Sequence, residues 1–271
     1  VSDHPRRAWR TDDEWNRLRE RVEGAPLVRP PKRIGPVPWL AAAATIVIAV
    51  AIGWRTMRPH ADQRVVTTAA GERIEIKLAD GSVITLGPAS TLRYSTRAER
   101  NVSLEGLANF NVVHDAARPF VVKAGNAVAT DLGTEFVVRA YRADSLVDVA
   151  VKSGLVALTG KSRLDLQAGD FGRVHSDGST TRGVSSSAAT RLAWTEGRLA
   201  FDDESLAGVA AELSRWFNVD VKIGDATLAR RRVTAVYTAP TLDGVLEALS
   251  GSLNVRVERA ERAITISPSP E

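Results

Sequence analysis

The sequence predicts a mainly β domain, a short-stranded antiparallel β-sandwich or curled sheet. A small α+β module of order β-α-β-β-α-β-β follows it, and one transmembrane helix lies near the N-terminus. Three observations predict this. Short runs of alternating apolar and polar residues recur from Glu72 to about Val174, with turn residues between them every 8–12 positions. From Leu192 the rhythm changes to strands separated by two amphipathic helical patterns. Ahead of both lies an uncharged stretch of 21 residues, Ile34 to Trp54.

Composition narrows the function classes. Of 271 residues, 44% are hydrophobic and 25% charged, which supports a sizeable core and argues against wholesale disorder. There are no cysteines, which excludes a disulfide framework and thiolate metal sites. The formal charge is +4, and its arginine excess forms no run outside the N-terminal segment. Direct nucleic-acid binding is therefore not expected.

Residues 1–33 are read as a cytoplasmic segment holding one short helix, TDDEWNRLRERVEG. Thr11 and Glu14 have capping-box spacing, Asp12 and Asp13 occupy the first turn, and Gly24 with Pro26 ends it. Trp15, Leu18 and Val22 share one face, and Trp9 lies just upstream. A lone helix this short is marginal in water. Its apolar stripe can lie on the inner leaflet or dock into a groove of a cytoplasmic partner.

Residues 34–56 are read as the membrane span; the alternatives are a buried core helix and a cleaved signal peptide, for which the 33 residues ahead are long. As a helix, the uncharged stretch is roughly 30 Å long, about the hydrocarbon thickness. Trp39 and Trp54 stand near its ends, and Pro36 and Pro38 at its entrance. Nine basic residues, from Arg6 to Arg33, precede it, whereas only Arg55, Arg58 and Arg64 follow closely. The positive-inside rule then leaves the N-terminus in the cytoplasm and the body outside.

After a linker at 57–71, the β domain is expected over 72–175. ERIEIKL, SVITL, RNVSLEG, FNVVH, PFVVKAG, NAVATDLG, TEFVVRAY, LVDVAVKSG, LVALTG and FGRVH each read as a strand. The first two form a hairpin. A two-residue Asp80-Gly81 loop would mix the faces, whereas a three-residue loop, Ala79-Asp80-Gly81, sets Ile76 opposite Ile84 and Ile74 opposite Leu86. That loop needs a left-handed residue, and Gly81 stands there. Ile74, Ile76, Leu78, Ile84 and Leu86 should then face the core, and Glu75, Lys77 and Thr85 water.

The polar, Ser/Thr/Gly-rich stretch 176–191 reads as a linker or an exposed hairpin loop. The module at 192–271 carries helical stripes at Leu206, Val209, Ala210, Leu213 and Phe217, and at Leu242, Val245, Leu246 and Leu249. It closes with a hairpin around Ala260-Glu261-Arg262.

No catalytic chemistry is legible. His4, His60, His114 and His175 have no metal-ligand spacing with another ligand, and no nucleophile elbow, zinc-protease helix or phosphate loop occurs. The Asp-Gly-Ser triplets at Asp80 and Asp177 stand at turns, where these residue types are common. The protein is expected not to be an enzyme and to need no cofactor or metal.

Several segments in fixed order resemble the FecR family of single-pass transmembrane signal regulators. The first is the spaced set Leu78, Asp80, Gly81, Ser82, Leu86, Ser90, Leu92 and Tyr94. RPFVV follows, then LGTEFVVRAY with Leu132, Gly133, Thr134 and Phe136, then VAVKSGLVAL and LQAGD. WTEGRLAFDDESLAGVAAELSRW, from Trp194 to Trp216, is similar to the family's C-terminal module and to the small signalling domain of outer-membrane receptors and secretins.

The resemblance implies a relay. The periplasmic signalling domain of an outer-membrane TonB-dependent receptor, often one for ferric chelates in iron uptake, touches the regulator. The regulator controls an extracytoplasmic-function sigma factor across the inner membrane, as anti-sigma factor, activator or both. It implies sigma contact through Trp9, Trp15, Leu18 and Val22, and receptor-side contact through Trp194, Phe201, Leu206, Leu213 and Trp216. Many members have a longer cytoplasmic domain of several helices, where about 33 residues precede the span here. Two other functions compete with this one. One is an envelope scaffold or periplasmic ligand-binding protein without a sigma partner. The other is a carbohydrate-binding β protein, which should show an aromatic platform, although aromatics are only 6%.

Overall fold

The computed structural model describes residues 63–96, 100–183 and 185–269. The segment 1–33, with Trp9, Trp15, Leu18 and Val22, and the predicted span 34–56 lie outside the described residues. Among those described, no helix is long and apolar enough to cross a membrane.

The β domain runs β1 (Gln63–Thr67), β2 (Ile74–Lys77), β3 (Val83–Leu86), β4 (Thr91–Ser95), β5 (Asn101–Asn111), β6 (Phe120–Ala124) and β7 (Ala127–Asp131). It continues through β8 (Glu135–Ala140), β9 (Val147–Ser153), β10 (Leu155–Thr159), β11 (Arg163–Gln167), β12 (Phe171–Val174) and β13 (Thr180–Arg182). β5 joins two sheets. Its first part pairs with β4 and β6, and its second part with β3 and β8. One sheet reads β1-β4-β5-β6-β7-β10-β11 and the other β2-β3-β5-β8-β9-β12-β13. Their inner faces share one core, centred on the fully buried Phe110, Phe120 and Phe136. Phe110 stacks on Phe136 with ring centroids 5.1 Å apart, and Phe120 lies 6.0 Å from Phe110.

The changeover in β5 falls at Gly106, whose φ is +118°. A Cβ there would lie 2.2 Å from Ser90 Oγ, so only glycine fits this kink. RNVSLEG and FNVVH are therefore one bent strand rather than two, because the glycine that reads as a break is a bend inside a ladder. The sheets are also not purely antiparallel. Residues 112–119 return the chain toward the start of β5, and β6 lies parallel to it.

The first hairpin has the expected register. Ile74 pairs with Leu86 and Ile76 with Ile84, the Leu78 N–H donates to Ser82 O at 2.9 Å, and Gly81 has φ +85°. Ile76, Ile84 and Leu86 are buried, Ile74 and Leu78 pack partly against the same core, and Glu75 and Lys77 are exposed. The expected linkers are partly structured instead. Within 57–71, β1 pairs with β4, where alternation is too weak to read because the strand is mostly exposed. Within 176–191 stand β13 and a helix, α1 (Ser185–Leu192), whose polar composition hides it. β4 and β11 also do not stand out in the sequence, being short and only partly buried.

The module keeps the expected order. It comprises β14 (Arg198–Ser205), α2 (Leu206–Phe217), β15 (Asp220–Ile223), a short additional α3 (Ala226–Ala229), β16 (Arg232–Thr238), α4 (Leu242–Leu253), β17 (Val255–Ala260) and β18 (Ala263–Pro268). The two long helices are capped alike. The Gly208 N–H donates to Ser205 Oγ, the Gly244 N–H to Thr241 Oγ1, and Asn218 and Asn254 end them in the left-handed region. Val209, Leu213, Val245 and Leu249 meet Ile264 and Ile266 in one core. β14 pairs with β16 alone, and β18 lies between a parallel β15 and an antiparallel β17.

Candidate functional site

Two clusters stand out, one at an end of the β domain and one between that domain and the module. The first explains the spaced residues of the hairpin. Asp80 accepts from the Ser82 N–H and the Ser82 hydroxyl, both at 2.9 Å, and Ser82 Oγ in turn accepts from the Val113 N–H at 3.1 Å. Arg100, 4% exposed, lies with Nε 3.2 Å from Asp80 and donates to the Val113 carbonyl at 2.6 Å. The hairpin turn is thus tied to the far end of β5. Ser90 makes a second tie. Its hydroxyl donates to Pro88 O at 2.9 Å and accepts from the Leu107 N–H at 2.8 Å, just past the Gly106 kink.

The segment at Leu132 is architectural in the same way, apart from Leu132 itself. Gly133 has φ +145°, its N–H donates to Asp131 at 2.8 Å, and a Cβ there would meet His114 Cα at 2.4 Å. Thr134 and Phe136 are buried, Leu92 is in the core and Tyr94 packs partly against it. Leu132 is 41% exposed.

The second cluster is built on both faces of β8. Phe136, Val138 and Ala140 point into the sandwich. Val137, together with Tyr141 just past the strand, packs instead with Leu107, Trp194, Leu192 and Trp216. Arg139 shares that outer face. Its guanidinium reaches Glu212 on α2 at 2.5 Å and Asp144, in a 3-10 turn at Arg142–Asp144, at 2.8 Å. Arg215 reaches Asp144 at 2.7 Å and Glu212 at 3.3 Å, and the Trp216 Nε1–H donates to Glu212 at 3.0 Å. Helical spacing of three and four puts Glu212, Arg215 and Trp216 on one side of α2.

The Arg215 guanidinium lies 3.9 Å from the Tyr141 ring centroid, and the Tyr141 hydroxyl donates to Pro88 O at 2.7 Å. Pro88 O thereby accepts from both Ser90 and Tyr141, which joins the hairpin cluster to the seam. Burial alone would raise the Glu212 carboxyl, but Arg139, then Arg215 and the Trp216 N–H, outweigh it and hold Glu212 below the usual glutamate range. Burial, with the Glu212 charge, pushes the Tyr141 phenol up, so it stays a neutral donor.

A further set of ties anchors α1. Asp148, 1% exposed, accepts from Arg173 at 2.6 and 2.8 Å and lies 3.0 Å from Arg191, and both guanidiniums flank the Phe171 ring. Beside this seam opens a cleft of about 640 Å3, lined among others by Arg173 of β12, Arg191 of α1 and Asp202, Asp203 and Glu204 of β14. Among the described residues, no group of three or more His, Asp or Glu is arranged to hold a metal ion.

The receptor-side residues named from the sequence are mostly internal. Phe201, Leu206 and Leu213 are 4%, 0% and 0% exposed in the module core, and Trp194 is 6% exposed in the seam. Trp216 is half-buried between the two clusters. As folded, the four buried side chains shape the module and its seat and are not offered to another protein.

Sequence reading also missed Arg139, Asp144, Asp148, Glu212 and Arg215. Two signals were present. TEFVVRAY is apolar on both faces, so its outer face needed a cover. Glu212 stands beside the apolar stripe of α2, where an unpaired charge is costly.

Family comparison adds the decisive observation. A model described as FecR protein matches residues 64–157, and one described as FecR, C-terminal, matches 198–266. The chain belongs to the FecR family. The two FecR segments correspond to the β domain as far as β10 and to the module from β14 onward. Two solved structures are similar to this FecR chain. Both are described as a "putative anti-sigma factor from Parabacteroides distasonis ATCC 8503". One is 26% identical, with a TM-score of 0.71, covering 76% of this chain and 100% of the other. The second is 27% identical, with a TM-score of 0.71, covering 77% and 100%. No curated protein matches the chain.

Proposed function

We propose that this FecR-family chain is a single-pass inner-membrane regulator of an extracytoplasmic-function sigma factor. Its segment 1–33 is cytoplasmic, residues 34–56 span the membrane, and the β domain and module are periplasmic. The signal comes from the signalling domain of an outer-membrane TonB-dependent receptor, and the chain works by contact rather than catalysis. Family membership and the likeness to proteins described as anti-sigma factors support the sigma partner. The observation that carries the relay is the charged seam. Glu212 and Arg215 of the module interlock with Arg139 and Asp144 of the β domain, so a force or displacement applied to one body is passed to the other.

The test uses the full chain in its membrane, with co-purification of the sigma factor as readout. Trp15→Ala removes a candidate anchor and should lower sigma capture about 30-fold, equivalent to about 2 kcal/mol. Arg17→Ala on another face should do much less. Unchanged capture with both Trp15→Ala and Leu18→Ala would overturn sigma binding by this helix. A reporter active only in the periplasm should work when fused after residue 60 and fail at residue 20, and the reverse would overturn the topology.

A further inference from the structure

Strand edges are where a β protein is open to pairing with another chain, and proteins guard them with charge, bulges or short length. Among the described residues, the free edges are β1, β2, β11 and β13 in the β domain and β14, β15, β16 and β17 in the module. Seven of these carry a guard. β1 has Arg64, β2 has Glu75 and Lys77, β11 has Arg163 and Asp165, and β15 has Asp220 and Lys222. β17 has Arg256, Glu258 and Arg259, and β13 is three residues long and ends in Arg182. β14 has Asp202, Asp203 and Glu204, with a register shift between Phe201 and Glu204.

β16 differs. After Arg232 it runs Val233 to Thr238 with no charge, glycine or proline. Val236 is 60% exposed, the highest among the exposed large hydrophobics described. The strand pairs only with β14, and a two-stranded sheet is marginal by itself.

We propose that β16 is a homodimer edge. Two copies pair antiparallel about a two-fold axis at Val236 and form a four-stranded sheet, β14-β16-β16-β14. The strand is self-complementary in that register. Val236 covers its twin on the exposed face, Thr234 meets Thr238 and the small Ala235 meets the large Tyr237, and the strand ends there because Ala239 turns into the left-handed region, which leaves Arg232 beyond the paired residues. No charge opposes a like charge. The uncharged strand also offers no sign for an acidic or basic partner segment to read, which favours a second copy over a foreign strand.

The chain has no cysteine, so one introduced cysteine is its sole thiol. In full-length protein oxidised in its own membranes, Val236→Cys should run predominantly as a disulfide dimer. Opposed Cα atoms of an antiparallel pair lie about 4.5–5.5 Å apart, within disulfide range. Thr234→Cys and Thr238→Cys should each stay monomeric alone, because a residue and its twin would then be about 13 Å apart, and should cross-link when co-expressed. Val65→Cys, on a similarly exposed strand, should stay monomeric. A monomeric Val236→Cys would overturn the dimer. So would equal dimer from Val65→Cys, or cross-linking of Val236→Cys to a different protein.

Discussion

Arg100 and Arg139 both hold their guanidiniums among carboxylates, yet they tie together different things. Arg100 joins the β2–β3 turn to the end of β5 through Asp80 and the Val113 carbonyl, all within one domain. Those partners cannot part unless the sandwich unfolds. Arg139 joins the β domain to the module, its Glu212 partner being 73 residues away in sequence. Those partners can part if the module shifts and water replaces the lost contacts. The difference teaches that most of the recognisable spaced residues of the hairpin are architecture, whereas the coupling between the two bodies rests on Arg139, Glu212 and Arg215, charged positions inside the other recognisable segments, together with Asp144 outside them.

The largest expected effect is on the architectural side. Gly133→Ala places a Cβ against backbone at His114 in a conformation that L residues avoid, with no flexible atom able to yield. Loss of more than about 4 kcal/mol is expected, seen as absent near-ultraviolet circular dichroism. A folded variant would mean that this loop is not a fixed joint.

Breaking the seam should cost somewhat less and act differently. Glu212→Leu leaves Arg139 and Arg215 sharing Asp144 and should cost about 3–5 kcal/mol. Because the seam lies between two cores, urea unfolding of this variant should separate into two transitions where the parent shows one. A single transition would make the two bodies one cooperative unit without this charge. Acid should act through the same group. Its folded pKa is depressed, so its contribution is present above the unfolded glutamate value and is lost as pH falls through the lower folded value. Thermal stability should therefore drop as pH falls below about 4.3, and Glu212→Gln should flatten that drop. An unchanged slope would place the acid sensitivity elsewhere.

Ser90→Ala removes one hydroxyl from the domain cluster and leaves the buried Leu107 N–H without its acceptor. About 1–3 kcal/mol is expected by thermal denaturation. Less than that would mean that the Gly106 kink holds unaided. The smallest effect is at Leu132, which belongs to the most recognisable segment but is exposed. Leu132→Ser should change stability by no more than about 0.5 kcal/mol. A change in signalling with stability unchanged would make Leu132 a contact residue, and a large stability loss would return it to architecture.

By itself, the sequence determined the change from β domain to module, the register of the first hairpin and the order of strands and helices in the module. Each depends on local spacing. Alternation sets a strand's buried face, one glycine sets a turn, and a stripe every three or four residues sets a helix face. It showed less where burial was slight, as in β1, β4 and α1, because exposed strands and polar helices leave no apolar rhythm. Only the tertiary structure decided that Gly106 bends a strand shared by two sheets, that β6 lies parallel to it, and that Trp194 is taken up in the seam. It alone brought Arg139, Asp144, Glu212 and Arg215 together. Those contacts depend on which faces two separately patterned units turn toward each other, and in each unit taken alone an arginine or a glutamate reads as a residue facing water.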